Sequence, residues 1–243
     1  MSSETSNSPR LLIVIPTLNE RDNIQAQLTR LFELIPFANV LVVDDNSPDG
    51  TGEWCEQHAK QEPRLNVVHR SQRLGIGAAT CQGMQIGLEQ GYDWIGSMDG
   101  DGSHDPVYLS QFASELNNSA PQIFIGSRYC AGGQIDNWPW NRRIASRLVN
   151  QASRMILRVP ISDYSSAYRV YHRECLEKCD VSSLRSQGYA YLEEILVKLH
   201  RADAKFTEFP ICFNDRIGGK SKAGPRQALQ AIRDLVKLFA LRR

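Results

Sequence analysis

Leu-Leu-Ile-Val-Ile-Pro-Thr-Leu-Asn-Glu, residues 11–20, joins an unbroken apolar run to a short polar one. A strand with one wet face alternates apolar and polar residues. A run without a polar break belongs to a strand covered on both faces, as in a parallel sheet flanked by helices. Pro16 closes the run. Ile24, Leu28, Leu31 and Ile35 then repeat at helical spacing, which predicts a helix over residues 20–35.

The same unit recurs. Strands are predicted at 40–43, 65–69, 94–98 and 123–126, with helices beginning at Thr51 and spanning 78–89 and 106–116. Strictly alternating strand and helix gives an α/β fold: a mostly parallel central sheet with helices on both faces. Beyond Arg128 the rhythm loosens. A Gly-Trp-Pro loop at 131–140 precedes helices at 142–157, 189–199 and 227–241, with extended segments at 167–171 and 206–213. The chain of 243 residues is 42% hydrophobic, enough for a sizeable core. It reads as a disordered tail at 1–9 and a single domain at 10–243, divided into halves at 10–128 and 129–243.

Net charge is only +1, yet its distribution is uneven. Residues 1–127 hold 16 acidic and 7 basic residues, whereas residues 128–243 hold 11 and 21. An acidic half joined to a basic half suits a cleft that handles a cation and anions together. The six cysteines form no C-x-x-C pair, so reduced thiols in a cytoplasmic protein are expected. The N-terminus lacks the basic start and apolar centre of a signal peptide, and no apolar run is long enough to span a bilayer. Basic residues are not interleaved with aromatics as a base-stacking platform requires, so no nucleic-acid partner is expected.

Polar residues gather where predicted strands end: 16–20 after the first, Asp44-Asp45 after the second, Asp99-Gly100-Asp101 after the fourth, Ser127-Arg128 after the fifth. Ligands of open parallel sheets bind outside the carboxyl ends of the strands. Asp99 and Asp101 can turn both carboxylates to one side of an extended segment. Hard oxygen ligands in a glycine-lined loop suit Mg2+ or Mn2+, with phosphate oxygens completing the shell. Arg128, Arg216 and Lys222 are matching anion binders. Residues 142–158 carry five arginines and no acid beside Ile144, Leu148, Met155 and Ile156. Such a helix suits a membrane interface, and core packing explains its stripe equally well.

The motifs Ile-Pro-Thr-Leu-Asn-Glu (15–20), Val-Val-Asp-Asp-Asn-Ser-Pro-Asp-Gly-Thr (42–51), Arg-Leu-Gly-Ile-Gly (73–77), Met-Asp-Gly-Asp-Gly-Ser-His-Asp-Pro (98–106), Gly-Ser-Arg-Tyr (126–129) and Ser-Asp-Tyr-Ser-Ser-Ala-Tyr-Arg-Val-Tyr (162–171) follow one another in order. Gly-Tyr-Ala-Tyr-Leu-Glu-Glu (188–194) and Asp-Arg-Ile-Gly-Gly-Lys-Ser-Lys (215–222) complete the set. Together the chain resembles glycosyltransferase family 2, and within it the dolichol-phosphate mannosyltransferase group. The resemblance implies a GT-A fold and inverting transfer of a sugar, mannose from GDP-mannose above all, to a polyprenyl phosphate on the cytoplasmic face of a membrane. A membrane-anchoring partner protein is compatible with it.

It further implies that Pro16, Leu18, Glu20, Val43 and Asp45 line the nucleotide pocket. Asp99, Gly100 and Asp101 would hold metal and diphosphate, with Ser103 near the metal. Arg128, Arg216 and Lys222 would contact phosphates, and Ser165 and Arg169 would face the acceptor. Gly102 stands where relatives carry a leucine, which predicts a looser metal loop. A soluble family 2 enzyme with a UDP-sugar and a hydroxyl acceptor is the alternative, for which Glu193 or Glu194 would serve as base. An inactive nucleotide-binding scaffold is a third reading.

Overall fold

A computed structural model describes residues 9–117, 120–184 and 188–214. Residues 1–8 of the tail expected at 1–9, the loop expected to bear Arg216 and Lys222, and the helix expected at 227–241 lie outside the described residues. The order is β1 (Leu11–Thr17), α1 (Arg21–Leu34), β2 (Asn39–Asp44), α2 (Thr51–Ala59), β3 (Leu65–His69), α3 (Ile76–Glu89), β4 (Trp94–Ser97), α4 (Leu109–Glu115), β5 (Gln122–Ser127) and β6 (Gln134–Ile135). Then come α5 (Trp140–Leu157), β7 (Arg169–His172), α6 (Arg173–Cys179), α7 (Tyr191–Arg201), β8 (Lys205–Pro210) and β9 (Cys212–Phe213).

Seven strands form one sheet in the order β3-β2-β1-β4-β7-β5-β8, all parallel to their neighbours except β7. β6 and β9 pair separately. The unbroken apolar run of β1 has the predicted cause. Leu12 and Val14 enter the core on one face of the sheet with residues of α3 and α7, and Leu11, Ile13 and Ile15 enter the core on the other with α1 and α4. α3 lies close on the sheet because Gly83 and Gly87 face it. A Cβ at Gly83 would sit 2.4 Å from Val14 Cγ1.

The helix predicted at 106–116 starts as a single 3-10 turn, Pro106–Tyr108, with Asp105 capping it by accepting from Val107 N at 2.9 Å. α6 carries no expectation from the sequence. Its seven residues bury Cys175 and Cys179 on one face, and burial pushes the two thiols up to about 11 and about 12. The described cysteines are all free thiols. β1 lies between β2 and β4, so the chain crosses from one side of the sheet to the other there. That switch point opens a crevice at the carboxyl ends of the two strands.

Candidate active site

The adjacent aspartates after β2 do different things. Asp44 turns inward and accepts from Thr17 Oγ1 at 2.8 Å, Ser47 N at 2.9 Å and Ser47 Oγ at 2.6 Å. It ties the loop after β2 to the end of β1. Asp45 turns to the crevice. It accepts from Arg70 Nη1 at 2.7 Å, Leu74 N at 3.0 Å and Gly75 N at 2.7 Å, and so fixes the loop that leads into α3.

Between these loops lies a cavity of about 200 Å³. Pro16, Leu18, Glu20 and Asp45 line one side of it, and Asp99, Gly100 and Asp101 line another. Arg73, Gly75, Ile76 and Ala79 close the third side, and no sequence argument singled them out as pocket residues. Val43, expected in this pocket, is fully buried in the core with its Cγ2 against Gly83 of α3, and does not line the cavity. Its place in a strand covered on both faces sends the side chain under the helix.

The loop after β4 is braced rather than loose. Asp101 Oδ1 accepts from both Ser103 N at 3.0 Å and Ser103 Oγ at 2.6 Å, and both residues are buried. That turn needs Gly102 at φ +80°, a left-handed conformation that a leucine adopts only under strain. The glycine here therefore has a local reason. His104, 2% exposed, accepts from Asp99 N through Nδ1 at 3.0 Å and stacks on Tyr168. An accepting Nδ1 carries no proton, so the 3.8 Å approach to Asp99 Oδ2 is no ion pair. Burial, helped by the charge of Arg128, pushes His104 down to about 4 despite Asp101, which keeps the ring neutral. Gln27 Nε2 holds the same turn through His104 O at 2.7 Å.

Asp99 and Asp101 offer hard carboxylate oxygens at one end of the cavity. Among the described residues no cluster of three or more His, Cys, Asp or Glu could enclose a metal alone. The donor set fits Mg2+ or Mn2+ held by two carboxylates, with diphosphate oxygens and water supplying the rest. Ser103 Oγ donates to Asp101 Oδ1, which makes it a brace for the carboxylate.

Arg128 is engaged internally. Nε and Nη2 form two parallel 2.7 Å bonds to Asp163, which is fully buried, and Nη2 also donates to Ser165 Oγ at 2.7 Å. Asp163 further accepts from Arg128 N at 3.0 Å. Burial alone would raise the Asp163 carboxyl, but the charge and hydrogen bonds of Arg128 outweigh it and hold the group below its ordinary range. The rings of Tyr129, Trp138 and Phe213 lie 5.2–5.8 Å from the guanidinium carbon. Ser165 passes the network on to Asn150 of α5, whose Nδ2 donates to Ser165 Oγ at 3.2 Å and whose Oδ1 accepts from Tyr164 N at 2.7 Å. Asp163 and Asn150 were missed as individual residues; Asp163 lies within a quoted motif, and Asn150 is a buried polar residue on a helix otherwise read for its charge.

Arg169 does not reach the surface. It is fully buried and donates to Leu192 O at 3.0 Å and Tyr164 O at 2.8 Å, which makes it an internal strut between β7 and α7. Glu193 and Glu194 are buried in the first turn of α7 and do not line the cavity.

α5 presents an unusual face. Asn150, Ser153 and Leu157 are buried beneath it, while Trp140, Ile144, Leu148 and Met155 are 75%, 50%, 61% and 65% exposed. The apolar stripe therefore points away from the core of the described residues. Among the described residues no helix is long and apolar enough to cross a membrane.

The chain is similar to characterised proteins over most of its length. A family model described as Glycosyl transferase family 2 matches residues 12–180. A polyprenol monophosphomannose synthase of Mycolicibacterium smegmatis is 41% identical over 88% of this chain and 80% of its own. An undecaprenyl-phosphate mannosyltransferase of Micrococcus luteus is 37% identical over 88% of this chain and 87% of its own. Among solved structures, glucosyl-3-phosphoglycerate synthase of Mycobacterium tuberculosis superposes with a TM-score of 0.67 at 19% identity, covering 94% of this chain and 79% of that one. The mannosyltransferase PcManGT of Pyrobaculum calidifontis, solved with GDP-Man and Mn2+, gives 0.57 at 15% identity, covering 98% and 72%. These neighbours share the GT-A architecture described above. With the family's motifs at the carboxyl ends of β1, β2 and β4 and relatives of this identity, the protein belongs to glycosyltransferase family 2 and is a glycosyltransferase.

Proposed function

We propose that the protein transfers mannose from GDP-mannose to a polyprenyl phosphate at a membrane surface, inverting the anomeric centre. The observation that carries the reading is the single cavity shared by Pro16, Leu18, Glu20 and Asp45 on one side and Asp99, Gly100 and Asp101 on the other. The first group takes the nucleoside. The second meets the diphosphate. Asp99 and Asp101 would hold Mg2+ or Mn2+, which would supply positive charge to neutralise the departing diphosphate. Asp101 is held for that purpose by Ser103, and Asp99 by the His104 contact to its main chain.

Arg128 is oriented by Asp163 and Ser165 with its charge largely spent on that carboxylate, so it positions the acceptor side. Arg216 and Lys222, which lie outside the described residues, contribute positive charge for the phosphates. An acceptor phosphate oxygen is already anionic near neutral pH, so the attack needs no side-chain base. The curated relatives, named for polyprenol and undecaprenyl phosphate, support this acceptor class. The exposed apolar stripe of α5, flanked by arginines, supports peripheral seating on a bilayer.

The test supplies radiolabelled GDP-mannose, Mn2+ and a short-chain polyprenyl phosphate, and then partitions the products into organic solvent. Label enters the organic phase only with all three present, and a chelator abolishes it. Label that stays in water, or arises equally from UDP-sugars and hydroxyl acceptors, overturns the reading.

A further inference from the structure

A second, larger groove of about 950 Å³ lies on the flank of α5 and shares no lining residue with the donor cavity. Arg147, Arg154 and Arg158 line it, with Arg128 at its inner end. At ~100° per residue Arg147 and Arg154 fall within about 20° of each other around the helix, roughly 10 Å apart along it, and Arg158 follows at its C-cap in a left-handed conformation. All three are exposed. Among the described residues none of them has a carboxylate partner. Three guanidinium groups aligned in one concave site repel each other unless an anion joins them.

The neighbouring stripe gives the groove its setting. Ile144, Leu148 and Met155 are exposed and centred about 80° further around the helix, opposite the buried face of Asn150, Ser153 and Leu157. Met155 belongs to both surfaces, as it also lines the groove. A helix whose outermost stripe enters the acyl boundary holds a lateral row of arginines at the depth of the phosphates. Guanidinium binds phosphate through paired donors, unlike the point charge of lysine.

We propose that this groove is a binding site for the phosphate headgroup of an anionic bilayer phospholipid that is not itself a substrate. The inference rests on the membrane reading above and adds to it a discrete site, separate from the donor cavity. Asn150, which bonds to Ser165 beside Arg128, also lines the groove, so an occupied site sits one hydrogen bond from the Arg128 network.

Flotation of the full chain with vesicles of phosphatidylcholine alone, or with phosphatidylglycerol added, tests it. R154Q/R158Q lowers partition onto the anionic vesicles by at least tenfold, about fivefold per arginine being ordinary for basic residues at a charged surface. R154K/R158K keeps the charge yet still loses severalfold, because the paired geometry is gone. Neither changes binding to phosphatidylcholine. Wild-type partition by the lysine variant means diffuse attraction and overturns the site, as does wild-type partition by the glutamine variant. A raised KM of either variant for a short-chain acceptor without vesicles means that the groove is the acceptor's own, which also overturns it. Failure of wild type to transfer mannose to that acceptor, with the vesicle results intact, counts against the proposed reaction and leaves the groove standing.

Discussion

The donor cavity and the flank of α5 are built on opposite plans. Around the cavity the aspartates after β2 and the turn after β4 are committed before any ligand arrives. Asp44 closes one loop, Asp45 a second, and Asp101 folds its own turn onto Ser103. Short loops on parallel strands hold these groups in place, so developing charge meets dipoles that need little reorganisation. The α5 flank is committed only underneath, through Asn150 to Ser165 and Tyr164. Its upper side leaves arginines and apolar side chains to solvent. One region is closed upon itself; the other is open to solvent. The charge asymmetry of the sequence, 16 acidic to 7 basic residues before Ser127 inclusive and 11 to 21 after it, is the electrostatic form of the same division.

Asp101→Asn gives the largest effect. The amide keeps the size and can still accept from Ser103, but it removes a charge from the end of the cavity. Transfer falls by a factor of about 100–1,000, the scale for losing one electrostatic stabiliser. Thermal stability and vesicle binding stay near wild type. If the variant loses vesicle binding as well, the two regions are not the independent structures contrasted here.

Asp163→Asn strikes where the regions meet. It strands the Arg128 guanidinium, 7% exposed, without its counter-charge. Removing one member of a buried pair costs about 3–5 kcal/mol. Because the folded-state carboxyl lies below its unfolded value, its contribution is fully present above the ordinary carboxylate pKa of about 4 and is lost as pH falls through the folded value. Denaturant midpoints of wild type therefore drop on the acid side of pH 4, and Asp163→Asn shows a lower midpoint at neutral pH with a shallower acid slope. An unchanged neutral midpoint shows that the pair joins the regions without stabilising either.

The two plans also differ in how much a sequence discloses. Periodicity sufficed for β1 through β5 and α1 through α3, because a strand buried on both faces has no polar break and each helix has one apolar stripe. The cavity followed, since polar residues after several such strands share one edge. Three things were hidden. Val43 was placed in the pocket, but its facing depends on which side α3 packs. The resemblance sets Arg169 on the acceptor side, yet it is a buried strut whose acceptors are carbonyls of residues 164 and 192, partners no local pattern displays. α5 read as amphipathic with its stripe equally suited to core or interface. Only the burial of Asn150, Ser153 and Leu157 shows which face is outermost.

Leu148→Ser tests that orientation. The side chain is 61% exposed, so stability changes by no more than about 0.5 kcal/mol. Partition onto vesicles falls by roughly fivefold, since part of a leucine no longer leaves water. Calorimetry and flotation on the same sample read both numbers. A large loss of melting temperature would mean that the stripe is covered within the folded protein, and the contrast between a closed and an open region would end there.

Glu193→Gln and Glu194→Gln give the smallest effect, and their smallness is informative. Both glutamates are buried, 7% and 5% exposed, at the start of α7, where the helix N-terminus favours negative charge. The Glu194 carboxylate lies near Cys81 and Cys179 and helps raise both thiols, which places it on the core side of α3, away from the donor cavity. Phosphate as acceptor needs no proton removed, so kcat per folded molecule stays within about threefold of wild type even if the loss of a buried charge lowers the melting temperature. A hydroxyl acceptor would require a base, whose removal costs a factor of about 100–10,000. Single-turnover rates, corrected for the folded fraction, separate the two cases. A loss of that size at Glu193 would move the chemistry from the acidic cavity into the basic half and replace the phosphate acceptor with an alcohol.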